Sequence, residues 1–338
     1  MRALVVHPGP EFSVSDVYRG WVKGLRQNGV DIAEFNLHDR LTFYANAHVE
    51  RDGQWCRAFD WEAGYRMAAL GIETAALRFW PDIVIIISGL FVPPETYDVL
   101  RARGMTVVLI HTESPYEDNV QILRAAHADL NLLNDPTNLE QFRQVAPTHY
   151  IPHAYDPDLH RPGPADPGLK SDFCFVGTGF ESRIEFLCAA DLSGLDVLLA
   201  GNWQQAVGTP LERFMLHDFD QCIDNADAVR LYQSTKLSAN LYRKEAHRDA
   251  TADGWAMGPR EVELAATGTF FLRESRPESD EILPMLPTFD GPEDFGDKVR
   301  WWASHDDARR DAANRARAAV SDRTFQRHAT DLLRLAAA

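Results

Sequence analysis

Residues 258–272, GPREVELAATGTFFL, hold the transition on which the fold reading turns. A short helix starting near Pro259 carries Arg260, Glu261 and Glu263 in its opening turns, ends at Gly268 and runs straight into the apolar stretch 269–272. A helix that feeds a buried strand with no intervening loop is the αβ step of a parallel sheet. Carboxylates at a helix start are also favoured by the dipole and by free N–H groups, so capping alone accounts for Glu261 and Glu263 without any ligand.

The same step repeats on both sides of this stretch. Upstream, strands at 3–6, 32–35, 82–87, 106–110, 129–133 and 149–151 alternate with helices at 14–28, 61–79, 94–103, 118–126 and 138–144, while 41–60 has no regular pattern. Further along come strands at 171–176, 195–200 and 237–241, helices from 181 and at 226–234, and, beyond Leu272, a strand-and-turn region at 284–292. Helices at 294–303, 306–320 and 324–336 follow. This rhythm predicts an α/β protein of doubly wound parallel sheets. The Pro/Gly-rich run 161–168, RPGPADPG, reads as a linker.

At 338 residues the chain is long enough for two domains, each with its own core. A net charge of -16 (34 Lys and Arg against 50 Asp and Glu) argues against a surface built to neutralise nucleic-acid phosphates. The C-terminal arginines 309, 310, 315, 317, 323, 327 and 334 are interleaved with aspartates and read as a solvated helix face. Cys56, Cys174, Cys188 and Cys222 form no C-x-x-C pair, which predicts reduced thiols in a cytoplasmic protein with no zinc site. The first strand begins almost at once, so no signal peptide is expected, and the apolar run 83–87 is strand-sized, too short to span a membrane.

Arg260, Glu263 and Gly268 together spell Arg-x-x-Glu-x-x-x-x-Gly, a segment that resembles the CgeB-like (spore maturation protein) branch of the GT-B glycosyltransferases. The run Asp172-Phe173-Cys174-Phe175-Val176-Gly177-Thr178 with Arg183 looks like that family's second-domain opening, and residues 152–157, PHAYDP, like its interdomain crossing. The resemblance implies two facing Rossmann-like domains, at 1–155 and 156–320, with a terminal helix in 321–338 that crosses back to the first. It implies a nucleoside diphosphate sugar as donor, bound by the second domain with Arg183 and Arg260 among the donor-binding residues and with the Glu263 carboxylate accepting hydrogen bonds from the ribose hydroxyls. Retaining members often carry a longer Glu-x7-Glu motif; Ala256 lies seven residues before Glu263 and no acid stands at the partner position, so the stereochemical outcome stays open.

The remaining candidates lie at predicted strand ends, where ligands of open α/β sheets bind. Gly177-Thr178-Gly179, feeding a helix start, is either a phosphate cradle or a plain βα turn. Trp203 either stacks on a base or covers the core. Arg243 and Lys244 offer fixed positive charge for a departing diphosphate, or form a solvated basic loop. In the first half His7, Asp16, His111 and Glu113 are candidates for the base that takes the acceptor proton, Glu113 and Asp16 ahead of the others. Asp218-Phe219-Asp220 follows no strand and reads as an accidental Asp-x-Asp rather than a metal site. Residues 247–257, HRDATADGWAM, read as a lid over the donor.

No G-x-G-x-x-G or Walker loop is present, so dinucleotide and P-loop chemistry lack their phosphate cradle. The expected reaction is glycosyl transfer to an acceptor hydroxyl, with no cofactor and no obligatory metal. The alternatives are a nucleotide-sugar-binding protein without turnover and a nucleotide-sugar epimerase of the same two-domain plan. The acceptor class stays open across small metabolites, polysaccharides, proteins and modified nucleobases.

Overall fold

A computed structural model describes residues 1–10, 14–245 and 253–337. The chain forms two compact units, one comprising Met1–Pro152 and Phe325–Ala338, the other His153–Ala246 and Ala252–Thr324.

The first unit runs β1 (Arg2–Val6), α1 (Ser15–Gln27), β2 (Asp31–Phe35), α2 (Leu37–Asn46), β3 (His48–Arg51), β4 (Gln54–Arg57), α3 (Trp61–Phe79), β5 (Ile83–Ile87) and α4 (Pro94–Ala102). It continues through β6 (Thr106–His111), α5 (Asp118–Ala125), β7 (Leu130–Leu133), α6 (Leu139–Arg143) and β8 (Thr148–Tyr150). Six parallel strands pair in the order β2-β1-β5-β6-β7-β8, with Ala3 opposite Ile83 and Ile83 opposite Thr106. Helices cover both faces of such a sheet, which is why the five residues of β5, IVIII, are all buried and show no alternation.

The stretch 41–60, irregular in sequence, is ordered. Asn36 caps α2 by accepting from the Asp39 N–H at 3.1 Å, and Asp52 and Gly53 turn the β3–β4 hairpin in left-handed conformations. This helix and exposed hairpin lack an apolar period because little of them faces a core: of α2 only Leu37 and Leu41 are buried.

The second unit runs β9 (Ser171–Val176), α7 (Glu181–Ala189), β10 (Val197–Ala200), α8 (Asn225–Ser234), β11 (Thr235–Asn240), α9 (Pro259–Thr267), β12 (Phe270–Arg273), α10 (Pro277–Ile282), α11 (Pro292–Ser304) and α12 (Asp306–Ala319). Its four strands are parallel in the order β10-β9-β11-β12. Phe173, Phe175, Phe270, Phe271 and Phe295 are all fully buried in its core. The strand expected at 284–292 is reduced to one bridge between Thr288 and Arg273, and α10 takes the turn before it.

The last helix, α13 (Phe325–Ala336), belongs to the first unit and lies on α1. Gly20 and Gly24 of α1 make the close approach possible: a Cβ on Gly20 would stand 2.2 Å from the Phe325 ring and one on Gly24 2.5 Å from the Phe325 carbonyl oxygen. Asn28 locks the register by donating to the Gln326 carbonyl at 2.9 Å and accepting from the Thr330 hydroxyl at 2.8 Å.

Candidate functional site

In the second sheet the strand order reverses between β9 and β11, since β10 lies outside β9 and β12 outside β11. Loops leaving the carboxyl ends of two such strands diverge and leave a crevice, the usual ligand position in open α/β sheets. The ladder between β9 and β11 pairs Thr235 with Ser171 and Leu237 with Phe173 and goes no further. Beyond it the Ser238 hydroxyl donates to the Cys174 carbonyl at 2.6 Å, and two guanidinium groups take over. Arg183, 7% exposed, donates from Nε and Nη2 to the Leu241 carbonyl (3.0 and 2.6 Å) and from Nη1 to the Thr178 carbonyl (2.9 Å). It ties the loop after β9 to the loop after β11.

Arg260 is the second guanidinium. It enters from the first turn of α9, lies over the Phe175 ring at 4.9 Å and donates to Asn240 Oδ1 at 3.3 Å. Gly177, at φ +149°, has the left-handed backbone that favours glycine, and a Cβ there would stand 2.3 Å from Arg260 Nη2. Asn240 ends β11 as a buried side chain whose Nδ2 has no hydrogen-bond partner among the described residues, which leaves a donor beside the crevice. Sequence reading passed over Asn240; a polar residue closing an otherwise apolar strand was the available signal.

The start of α9 is held by a buried network. Glu261, fully buried, accepts from the Gly258 N–H at 2.8 Å in a capping box, from the Ser279 hydroxyl at 2.9 Å and from the Tyr242 hydroxyl. Burial pushes its carboxyl above the usual carboxylate range, against the hydrogen bonds from Tyr242, Gly258 and Ser279. Glu278 accepts from the Met257 N–H at 2.8 Å and pairs with Arg323 at 2.8 Å, and Arg276 lies over the Tyr242 ring at 3.6 Å. Glu278 and Ser279 come from α10, which the sequence reading missed although Pro277 with Glu278 and Asp280 is a helix-start signal. Glu263, one turn into α9, has a partly exposed side chain.

Three readings change. Trp203 is fully buried, donates Nε1–H to the Ala200 carbonyl at 3.2 Å and meets Phe175 edge-on, so it covers the core and offers no face to a base. The Gly177-Thr178-Gly179 turn is not an open cradle: the Gly177 and Gly179 N–H groups are committed to the Ala200 and Asn202 carbonyls at 2.9 and 2.8 Å. Its glycines make room, one for Arg260 and the other for the Trp203 ring, 2.4 Å from a Cβ on Gly179. Arg183 sends a bond from each of its three guanidinium nitrogens to backbone carbonyls and positions the two loops.

Arg243 lies near the Phe180 ring at 5.9 Å, and the exposed Lys244 ammonium is 3.6 Å from Glu274, whose other oxygen accepts from the Tyr242 N–H at 2.6 Å. Asp218 accepts from Gln221, and the Phe219 carbonyl takes the Trp203 N–H, so that loop backs the core. Residues 247–252 of the expected lid lie outside the described residues.

In the first unit the four candidates do not form one cluster. His7 follows β1 and Glu113 follows β6, with β5 between them, about 10 Å across the sheet. His111 is fully buried between Gln121 and Asn131, both ring nitrogens at 3.0 Å from side-chain oxygens, and burial lowers its pKa to about 4. It is a core histidine and cannot meet an acceptor hydroxyl. His7 Nδ1 accepts from the Gly9 N–H at 3.1 Å, so the neutral ring carries its proton on Nε2 and is set to donate. Burial, with His38 next, lowers its pKa. Asp16 pairs with Arg19 at 3.1 Å on the first turn of α1, and Glu113 is half-buried.

Residues 183–334 match a family described as glycosyl transferase-like. Three solved structures align over nearly the whole chain. A sucrose-phosphate synthase from Thermosynechococcus elongatus is 12% identical, with 99% of this chain and 98% of that one covered at a TM-score of 0.68. A trehalose-6-phosphate structure from E. coli bound with UDP-2-fluoro glucose is 10% identical, with 99% of both chains covered and a TM-score of 0.62. An alpha-glucosyltransferase in complex with UDP is 10% identical, with 100% and 99% covered and a TM-score of 0.63. No curated protein matches the chain by sequence. At such identities the likeness shows a shared fold, and it is the expected GT-B type.

Proposed function

We propose that this chain is a glycosyltransferase that moves a sugar from a nucleoside diphosphate sugar to an acceptor hydroxyl, and that it stands with the CgeB-like branch of the GT-B enzymes. The observation that carries the reading is the placing of Arg260 and Glu263 on the first two turns of α9, with Arg260 against Phe175 and Asn240 at the ends of β9 and β11, within the segment that matches the glycosyl transferase-like family. The complexes of two fold relatives with UDP or a UDP sugar support it.

In this reading the Glu263 carboxylate takes the two ribose hydroxyls, since it offers acceptor sites to both. Arg260, Arg243 and Lys244 face the diphosphate and stabilise the charge that grows on it as the glycosyl bond breaks. Three cations on the chain itself supply this charge without a metal ion or a cofactor. The acceptor proton goes to a first-unit carboxylate, Glu113 or Asp16. Cys56, Cys188 and Cys222 are exposed free thiols, which supports a reducing, cytoplasmic setting. Among the described residues no helix is long and apolar enough to cross a membrane.

A thermal-shift panel of UDP, ADP, GDP and dTDP with their glucose and N-acetylglucosamine esters tests the reading. A ligand that binds only the native state at a hundred times its Kd adds about 2.7 kcal/mol of stability. One nucleotide class should raise the midpoint, and Glu263→Ala should lose that rise. Free nucleoside diphosphate as product marks transfer or hydrolysis, isomerised sugar marks epimerisation, and binding without either marks a protein that has lost turnover.

A further inference from the structure

The crossing segment that opens the second unit brings a buried histidine against Glu263. Asp156 to His160 form a tight turn: the His160 N–H donates to the Asp156 carbonyl at 2.8 Å, and Asp156 Oδ1 accepts from the Asp158 N–H at 3.0 Å. The Asp156 N–H in turn donates to His160 Nδ1 at 3.3 Å. A ring nitrogen that accepts carries no proton, so the neutral imidazole bears its hydrogen on Nε2. His160 is 4% exposed, and Nε2 has no hydrogen-bond partner among the described residues. It faces Glu263 Oε1 at 3.9 Å.

A buried N–H without a partner is costly, and a carboxylate just beyond bonding distance is the acceptor that relieves it. A rotation of the Glu263 side chain that closed this gap would fix Oε1 on the histidine and leave Oε2 for a ligand.

Building on the role given to Glu263 above, we propose that His160 is a positioning residue: its Nε2–H holds one oxygen of the Glu263 carboxylate so that the other meets the ribose hydroxyls in a fixed orientation. The segment 152–160 thus helps set the preference for ribose. Without the donor the carboxylate turns freely, and its hydrogen bonds to the two hydroxyls weaken while contacts to the base and phosphates remain.

The test compares binding of UDP, ADP and GDP with that of their 2′,3′-dideoxy forms, by calorimetry, on the parent, Glu263→Ala, His160→Phe and His160→Gln, each checked for folding by urea denaturation. The parent should prefer the ribonucleotide by about tenfold or more, the scale of hydrogen bonds to a charged group. Glu263→Ala should abolish that ratio. His160→Phe should lose most of it, and His160→Gln, whose amide again presents an N–H, should restore it. A ratio unchanged in Glu263→Ala, or absent in the parent, removes the role of Glu263 and this inference with it. A ratio lost in Glu263→Ala but kept in His160→Phe overturns the positioning role alone, and so does failure of His160→Gln to restore it in a folded protein.

Discussion

Arg183 grips the Leu241 carbonyl with two nitrogens, at 3.0 and 2.6 Å, and reaches the Thr178 carbonyl with a third at 2.9 Å. The loops that border the crevice are therefore fastened to one side chain on α7. Arg183→Met removes the donors and leaves two carbonyls without them, which should cost about 2 to 3 kcal/mol of stability. Arg183→Lys should recover little, because one ammonium cannot reproduce the planar fork. Urea titration checks this as a lower midpoint at unchanged slope.

His111 gives the first unit an acid-sensitive core. Its pKa is lowered from 6.5 to about 4, so between those values the unfolded chain binds a proton that the folded one refuses. Stability is then full above pH 6.5 and is lost as pH falls toward 4, by about 3 kcal/mol at about 1.4 kcal/mol per unit. His111→Gln, which cannot charge, should be less stable at pH 7 yet show a shallower fall over that range in urea titrations at stepped pH.

Glu261 works in the opposite direction. Burial raises its folded pKa above the ordinary value of 4.5, so its contribution is greatest below pH 4.5 and is lost as pH rises through the folded value. Glu261→Gln keeps an oxygen for the Gly258 N–H and Tyr242 hydroxyl but has no charge to bury. The difference in unfolding free energy, variant minus parent, should therefore climb as pH is raised from 4 and then level off. A flat difference would show that the carboxyl titrates as it does in water.

Gly179 tests the reassigned turn. A Cβ there meets the Trp203 ring at 2.4 Å, and the buried indole cannot move aside freely. Gly179→Ala should cost about 1 to 3 kcal/mol, the scale of an overpacked core. A smaller partner, as in the double variant with Trp203→Phe, should make the alanine less harmful than it is alone. A double-mutant cycle on the urea midpoints reads the coupling.

The parallel αβ rhythm was legible because residues such as those of β5 and 173–176 of β9 form continuous apolar runs bounded by glycine and proline signals. The loop positions followed from it, and with them Arg260; Asn240, a single polar residue ending β11, did not. The fate of individual side chains was not legible. Trp203 and His111 each follow or end a strand, as ligand-binding residues do, yet pack inward, because direction at a strand end depends on the next loop and not on local sequence. The network on Glu261 joins residues up to 19 positions away, from β11's loop and α10, and no local pattern reveals such pairing.

The seating of α13 on Gly20 and Gly24 makes the first unit discontinuous along the chain: the helix that covers the Trp21 side of α1 is separated from it by the whole of the second unit. Completing the first unit is therefore a closure over 298 residues at the Asn28–Gln326 contact, the kind of non-local contact that forms late in folding. A deletion within Phe325–Ala336 would injure the unit that holds α1, not the unit that precedes the deletion in sequence.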